Sequence, residues 1–490
     1  MRNLPFLAKF IILSLLIGIY HLSLPLISFA KAKVKLNIVL IVLDAVRADH
    51  LGCYGYSRDT SPSIDLFSRQ SVLFEQAVSQ GPCTHIAISS LFTSLYPSVF
   101  HDALEWNLIL RDKFVALPDI LTKHGYNTAV FGGPVLKGIS NIEKRFQTAS
   151  ILPRDTQPSL KDGPEPGLEM PQIDSEIAKE ASLWLEENHN KPFFLYLHFL
   201  ASHDPYLPPE PYDTIFWKDE ITDKMRASLK NFTRARHHSD EYDKSFDKDM
   251  LNFIISQYDG EIRYTDSQVG AILEKLEKLN LTENTLVILT ADHGHAFGEH
   301  GRFFHDNTLY SELINVPLLM RLPKVLPQDK RVENLVRHID IMPTVLNILD
   351  IHPGSNVMQG ISLLPLFRGE VIPKLESVSE VHLGRLKAVR TNGWSFIAHY
   401  DTDNYPRLLE LYNLKNDPAE VVNLIKKIPD AEISGGAFNE YAEKFSDKLK
   451  EYDISCEKLR FAILGTDLAD ESEVLDEETK EVLRNLGYAQ

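Results

Sequence analysis

The feature that most constrains the fold is VKLNIVLIVL at Val34–Leu43, a run that is almost continuously aliphatic and β-branched. Such a strand is buried on both faces, as in the interior of a parallel sheet. Similar runs recur at Thr128–Phe131, Phe193–Leu200 and Leu286–Leu289, and a helical pattern spans Ser256–Leu279. Strands that alternate with helices predict an α/β domain in which helices flank a large, mostly parallel central sheet.

The pattern changes near residue 380, where the apolar segments become shorter. The segments that predict a small sheet are Leu386–Arg390, Trp394–His399 and Leu408–Leu414. A terminal helix is predicted at Asp476–Tyr488. We therefore predict a main catalytic domain over residues 34–375 and a smaller α+β C-terminal subdomain over residues 376–490.

Two stretches lack a long apolar period. Residues 150–180 are rich in Pro, Asp and Glu, and residues 215–250 are densely charged. We interpret both as surface insertions near the sheet edge that would carry substrate specificity, rather than as separate domains.

The N-terminal segment predicts export. Arg2 and Lys9 precede an apolar run from Phe10 to Ala30, and Lys31 follows it. Small residues at the end of the run suit a signal peptidase, and the run is also long enough to span a bilayer uncleaved. Residues 1–33 are thus a signal peptide or a membrane anchor. Either one places the rest of the chain in the periplasm, outside the cell, or facing outward from a membrane.

The net charge limits the class of partner. Acidic residues outnumber basic ones by 68 to 51, which gives a net charge of −17. A surface of this sign repels phosphate backbones, so nucleic acid is excluded as a partner. A small anionic substrate remains compatible with the net negative charge, because a bound cation reverses the electrostatic field within a site.

Metal-competent side chains follow two of the predicted buried strands. Asp44 comes directly after the first, and Asp292 and His293 come directly after Thr285–Thr290. Open α/β sheets build their sites at these strand ends, and carboxylate and imidazole groups can converge there on one cation. Taken alone, Asp44 is better explained as a cap of the following helix. Asp292 taken alone is equally well explained as a turn residue that bonds its own backbone.

A third segment places a hydroxyl near a helix N-terminus. Thr84 lies two residues before the helical pattern Ile86–Phe92. Backbone N–H groups and the helix dipole favour an anion at that point, although a Thr there is most often a simple N-cap. A threonine hydroxyl becomes a nucleophile only when a metal or a base activates it.

Longer segments carry a resemblance to a known family. They are NIVLIVLDAVRADHLGCYGY (37–56), THIAISSLFTSLYPS (84–98), FLYLHFLASHDPYLPP (194–209), YDGEIRYTDSQVGAILEKL (258–276), TLVILTADHGHAFGEHG (285–301), TLYSELINVPLL (308–319) and ELYNLKNDPAEVVNL (410–424). In order and spacing they resemble the sulfatase family of the alkaline phosphatase superfamily. The resemblance implies an alkaline phosphatase-like fold and a metal-dependent ester hydrolase.

The resemblance also implies roles for individual residues. Asp44, Thr84, Asp292 and His293 match the metal ligands, and Thr84 rather than Cys83 matches the nucleophile. Of the other matched positions, His203 matches a leaving-group histidine and His305 matches a substrate-facing or metal-binding histidine. Arg47 and Asn307 match substrate-binding positions. One divalent cation is implied, calcium or manganese foremost, with magnesium or zinc as alternatives.

This chain also departs from the family pattern. Cys83-Thr84-His85-Ile86-Ala87 lacks the Pro and Arg of the sequence that sulfatases convert to formylglycine, so that modification is not expected. Ala45 replaces the second aspartate of the usual pair, and Asn307 replaces a lysine. A threonine nucleophile resembles instead the phosphodiesterase, phosphonate-hydrolase and phosphoethanolamine-transferase relatives.

Three functions follow from the sequence. The first is hydrolysis of a sulfate or phosphate ester on a glycan, a lipid or a small molecule, through a covalent Thr84 intermediate. The second is a phosphoethanolamine-type transferase. The third is a catalytically inactive binding protein, which the replaced Lys, Arg and Asp favour and the retained metal ligands oppose.

Overall fold

The centre of the fold is β1, Asn37–Leu43, whose seven residues are all buried. It pairs in parallel with β5 (Phe193–Phe199) on one side and with β6 (Thr285–Ala291) on the other. Because β1 has a paired strand at each edge and is buried on both faces, its sequence contains no exposed polar position. The predicted central strands are therefore confirmed.

The computed structural model describes most of the chain. The described residues are 35–100, 110–136, 142–152, 170–235, 247–305, 307–354, 356–381, 385–400, 406–425 and 437–465. The predicted N-terminal segment, residues 1–33, and the predicted helix Asp476–Tyr488 lie outside them.

In this part of the chain the main sheet has eight strands. Their spatial order is β10 (Lys330–Arg337), β2 (Val72–Val78), β9 (Asn315–Arg321), β6, β1, β5, β3 (Asn127–Gly132) and β4 (Thr148–Ile151). Within the described part of this eight-stranded sheet, β9 is the one strand that runs antiparallel to its neighbours, β2 and β6. The sheet is thus mixed but mostly parallel, as predicted.

Helices flank this sheet. The α-helices of the described residues are Pro62–Ser68, Thr84–Thr93, Pro97–Phe100, Leu117–Lys123, Met170–Asn188, Tyr212–Ile215, Asp223–Ala235, Lys248–Lys278, Ser311–Ile314, Ile341–Leu349, Leu364–Phe367 and Ala437–Leu464. The predicted helix at Ser256–Leu279 begins earlier, because the Asp247 side chain caps it by accepting from the Met250 N–H. None of the helices in the described part of the chain has the length and hydrophobicity of a membrane span.

The second sheet is antiparallel and lies in the C-terminal part. Its strands, in spatial order, are β11 (Ser377–Val381), β12 (Leu386–Arg390), β13 (Trp394–Tyr400) and β14 (Pro406–Asn413). The Glu380 N–H donates to the Gln80 carbonyl oxygen, and the Ser379 hydroxyl donates to the Ser79 carbonyl oxygen. These two hydrogen bonds join β11 to the residues that follow β2. Residues from Leu36 onward form one compact unit, so the predicted division at residue 375 stays a prediction.

One sequence interpretation is wrong. Residues 150–180 are not wholly a surface insertion, because Met170–Asn188 is a helix that packs against β3, β5 and Lys248–Lys278. Its buried side chains repeat about every four residues at Ile173, Ile177, Ala181 and Leu185. The Pro-rich and acidic residues before this helix obscured its helical period.

Candidate active site

Two carboxylates stand side by side at the carboxyl ends of the central strands. Leu43 of β1 pairs with Ala291 of β6, so Asp44 and Asp292 leave the sheet at the same level. Their exposed fractions are 1% and 0%. Two acidic side chains excluded from water repel each other and lose hydration, which is costly unless a cation or protons compensate.

Asp44 presents one oxygen to the protein and one to the site. Its Oδ2 lies 3.4 Å from His198 Nε2, whereas its buried Oδ1 has no hydrogen-bond partner among the described residues. Asp44 does not cap the short helix Ala48–His50 that follows, so the capping interpretation is wrong. Burial alone would raise the pKa of Asp44, but the imidazoles of His203, His198 and His293 hold it below its usual range.

Asp292 is arranged in the same way. Its Oδ1 accepts from the Ala45 N–H at 3.1 Å and from the His293 N–H at 2.8 Å, and its buried Oδ2 has no such partner in the described structure. Ala45 adopts a left-handed φ of 58° to deliver its N–H, a conformation that costs free energy in a non-glycine residue. Burial and the nearby Asp44 carboxylate raise the pKa of Asp292.

His293 turns one nitrogen towards these oxygens. Its Nδ1 lies 2.8 Å from the Gly294 carbonyl oxygen, so Nδ1 carries the proton and Nε2 is left as the electron-pair donor. Nε2 lies 3.7 Å from Asp44 Oδ1 and 3.6 Å from Asp292 Oδ2. A side chain at Gly294 would clash with the Glu312 carbonyl oxygen, which explains the glycine in this turn.

These donor atoms fit a divalent cation. One donor atom from each of Asp44, Asp292 and His293 lies within 4.8 Å of the other two. His293 Nε2 lies within 3.7 Å of both carboxylate oxygens that have no hydrogen-bond partner among the described residues. A bound cation would supply the missing partner of each oxygen and would relieve the repulsion between the carboxylates.

Thr84 adjoins this group. It is the first residue of the helix Thr84–Thr93, whose N-cap residue is Cys83, so the interpretation of Thr84 as an N-cap is wrong. Its Oγ1 lies 3.4 Å from His293 Nε2, and the residue is 7% exposed. The hydroxyl therefore faces the metal-competent atoms beside the positive end of a helix dipole.

Two further histidines meet beside the group. His203 Nε2 and His305 Nε2 are 3.0 Å apart, and the ring centroids of His293 and His305 are 4.5 Å apart. His203 Nδ1 lies 2.9 Å from the Asp204 carbonyl oxygen, so His203 offers an unprotonated Nε2 to its partner when neutral. The structure brings together every residue predicted as ligand, nucleophile or leaving-group histidine.

The two predicted substrate-binding residues have protein partners. The Arg47 guanidinium bonds Asp49, Glu299 at 2.6 Å and the His295 carbonyl oxygen, so two carboxylates already balance its charge. Asn307 donates from Nδ2 to the Phe303 carbonyl oxygen at 2.8 Å, in the loop that carries His305. Their role towards substrate stays a prediction.

Comparison with known proteins decides the family. A sequence model described as Sulfatase matches residues 36–351, which is more than half of the chain. The chain belongs to the sulfatase family. A model described as N-sulphoglucosamine sulphohydrolase, C-terminal, matches residues 298–445. This chain is thus a sulfatase-family ester hydrolase.

Curated relatives agree with this assignment. Arylsulfatase K of Canis lupus familiaris is 28% identical over 442 residues, which cover 81% of this chain and 80% of the relative. The uncharacterized sulfatase YidJ of Escherichia coli is 24% identical over 481 residues, covering 86% and 89% respectively.

Solved structures share the fold of this sulfatase-family protein. A phosphonate monoester hydrolase of Agrobacterium radiobacter superposes with a TM-score of 0.68 at 20% identity, covering 89% of this chain and 97% of that one. The 2-O GAG sulfatase BT1596 superposes with a TM-score of 0.67 at 20% identity, covering 86% and 93%. Both confirm the predicted fold class.

Sequence reasoning missed two buried residues of the site. His198 lies inside β5 and contacts Asp44, and Asp174 accepts from the N–H groups of Leu200 and Ala201 in the turn before His203. A single imidazole within the apolar run FFLYLHF was a signal for the first. The helix that carries Asp174 was itself not predicted, so no signal identified the second.

Proposed function

We propose that this protein hydrolyses a sulfate or phosphate ester through a covalent ester of Thr84, with one divalent cation held by Asp44, Asp292, His293 and Thr84. The observation that supports this most is the position of Thr84 Oγ1, 3.4 Å from His293 Nε2. It lies beside two buried carboxylate oxygens, Asp44 Oδ1 and Asp292 Oδ2, that have no hydrogen-bond partner among the described residues. Oxygen-rich ligands favour calcium or manganese.

The bound cation would supply Lewis-acid stabilisation of the hydroxyl as an alkoxide and of charge on the ester oxygens. Thr84 Oγ1 loses its proton to solvent water and attacks the sulfur or phosphorus atom in line, and the bond to the leaving oxygen breaks. The histidine pair His203 and His305 gives its shared proton to that oxygen. Water then attacks the Thr84 ester and loses a proton to the pair. The bond to Thr84 Oγ1 breaks, and the departing Oγ1 takes a proton from solvent water to restore the hydroxyl.

Names of similar proteins bear on the substrate. Relatives named Arylsulfatase K favour a sulfate ester, and a structural neighbour is described in complex with its substrate D-glucosamine-2-N,6-O-disulfate. The phosphonate monoester hydrolase neighbour keeps a phosphorus-centred ester open. We propose an anionic ester on a glycan, lipid or small molecule, met outside the cytoplasm after export through residues 1–33.

The test compares wild type with Thr84→Ala and Thr84→Ser, each loaded with manganese or calcium, on an aryl sulfate and an aryl phosphodiester. Thr84→Ala removes the nucleophile, so we expect turnover to fall at least about 10³-fold. Thr84→Ser keeps a hydroxyl, so its turnover should stay within about tenfold of the wild-type turnover.

The two substrates separate the alternatives. Loss of sulfate release in Thr84→Ala assigns a sulfatase that uses threonine, and loss of phosphodiester cleavage assigns a phosphodiesterase. Turnover that survives in Thr84→Ala would refute the covalent mechanism. A metal-loaded wild type that turns over neither ester would refute hydrolysis of these ester classes.

A further inference from the structure

His198 and Tyr196 lie on the same face of β5, because alternate residues of a strand point to the same side. His198 pairs with Val42 of β1, two residues before Asp44, so all three side chains lie on one face of the sheet. Tyr196 and His198 are completely buried, with exposed fractions of 0%. Polar groups buried in this way are retained only where each has a partner.

The three side chains form a chain of hydrogen bonds. Tyr196 Oη lies 2.7 Å from His198 Nδ1, and His198 Nε2 lies 3.4 Å from Asp44 Oδ2. A carboxylate only accepts, so Nε2 carries the proton, and in the neutral form of the ring Nδ1 is the acceptor. Tyr196 supplies that donor, and burial keeps its hydroxyl protonated by raising the pKa of Tyr196 well above its usual range.

The other ligands are held by the main chain. Backbone N–H groups of Ala45 and His293 fix Asp292 Oδ1, and the Gly294 carbonyl oxygen fixes His293 Nδ1. Among the described residues, the hydrogen-bond partner of the Asp44 carboxylate is the His198 imidazole. Asp44 is thus the ligand whose orientation a side-chain substitution can change.

We propose that Tyr196 and His198 act as a positioning relay, which fixes Asp44 Oδ2 so that Oδ1 faces the cation and thereby sets metal affinity. The relay rests on the proposed metal site. Partners that orient a ligand in this way typically change metal affinity 10- to 100-fold, roughly, when they are removed.

The experiment measures the dissociation constant for Mn²⁺ by titration calorimetry on metal-stripped full-length protein. His198→Gln places an amide N–H near the position of Nε2, whereas the shorter side chain of His198→Asn cannot reach Asp44. We expect His198→Asn to bind Mn²⁺ about 10- to 100-fold more weakly and His198→Gln to recover most of that loss. Tyr196→Phe should weaken binding only a few-fold, roughly, because the imidazole remains.

Melting of the metal-free variants separates positioning from folding. Both amides disturb the same buried position, so similar metal-free melting temperatures with different Mn²⁺ affinities support the relay. Equal affinity in wild type and His198→Asn, or equal weakening in both amides, would overturn it. If His198→Asn fails to fold, an affinity in Tyr196→Phe equal to that of wild type overturns it as well.

Failure of the relay differs from failure of the proposed function. A wild type that binds no Mn²⁺ refutes both. Intact Mn²⁺ binding that ignores the His198 substitutions refutes the relay alone. The expected affinity order, together with ester turnover that survives in Thr84→Ala, supports the relay and refutes the covalent mechanism.

Discussion

The metal-ligand group and the histidine pair are neighbours, yet the fold positions them by different means. Asp44, Asp292 and His293 follow central strands, are at most 1% exposed, and have one atom each fixed by a hydrogen bond. His203 and His305 lie on loops beyond the strands, and the His203 side chain is 19% exposed. The sheet thus builds the cation site, whereas loops supply the groups that exchange protons with substrate and water.

The largest expected effect is on the sheet-built group. Asp292→Asn removes a carboxylate charge and one donor oxygen, so we expect the purified protein to lose its divalent metal. Ester turnover should then fall at least about 10³-fold. Metal content by elemental analysis and turnover at saturating Mn²⁺ are the measurements.

His305→Ala is the control for this loss, since it should leave one metal bound per chain. Donor atoms of His203, Asp204 and His305 also lie within 4.8 Å of one another. Two metals per wild-type chain, with one lost in His305→Ala, would contradict the assignment of these histidines to proton transfer. Such a result would mean that the histidine pair, like the metal-ligand group, binds a metal.

A smaller, graded effect is expected at the histidine pair. His203→Ala and His305→Ala each remove part of the proton source for the leaving oxygen. With a poorly acidic alcohol as leaving group, kcat/KM, which reports on leaving-group release, should fall roughly 10²- to 10³-fold. With an acidic phenol the loss in kcat/KM should shrink towards none, because such a group leaves without a proton.

A series of aryl and alkyl esters measures this dependence. The slope of log turnover against leaving-group pKa should steepen in both variants. An equal loss for every ester would indicate that these histidines bind substrate or metal instead. Unchanged metal content in the same samples completes the distinction.

The two regions also differ in how far sequence predicted them. Asp44, Asp292 and His293 follow buried strands directly, and in a parallel sheet this fixes their location without further information. The partners of Arg47 could not be predicted, because Glu299 lies 252 residues away on a short irregular turn. The antiparallel direction of β9 was missed for a related reason, since local periodicity does not encode strand direction. The helix Ala437–Leu464 was also not predicted.

The loop that carries His305 shows how such distant contacts work. It includes the strands β7 (Ala296–Phe297) and β8 (Phe303–Phe304), and His300 lies between them. His300 Nδ1 bonds Glu312 at 2.8 Å, and Nε2 faces the carbonyl oxygens of Ala419 and Glu420. Because every partner is an acceptor, the ring is doubly protonated and fastens this loop to the C-terminal part of the chain.

The smallest expected effect is the pH dependence of this attachment. Burial would lower the pKa of His300, but Glu312 and Glu420 raise it from 6.5 to about 9. The imidazolium therefore contributes its full stability below pH 6.5 and loses it as the pH rises through about 9. Because solvent reaches part of the side chain, which is 14% exposed, and screens its charge, we expect a loss of about 1 kcal/mol between neutral and alkaline pH.

Urea unfolding of wild type and His300→Gln across this pH range measures the difference, and His352→Gln at an exposed position is the matched control. Other groups titrate in both proteins, so only the gap between their unfolding free energies reports on His300. That gap should narrow as the pH rises, while the gap for His352→Gln stays flat. A constant gap for His300→Gln would mean that the ring acts by packing on Tyr310, 3.6 Å away between centroids, and not by its charge. The loop that carries His305 would then be held by packing that does not depend on pH.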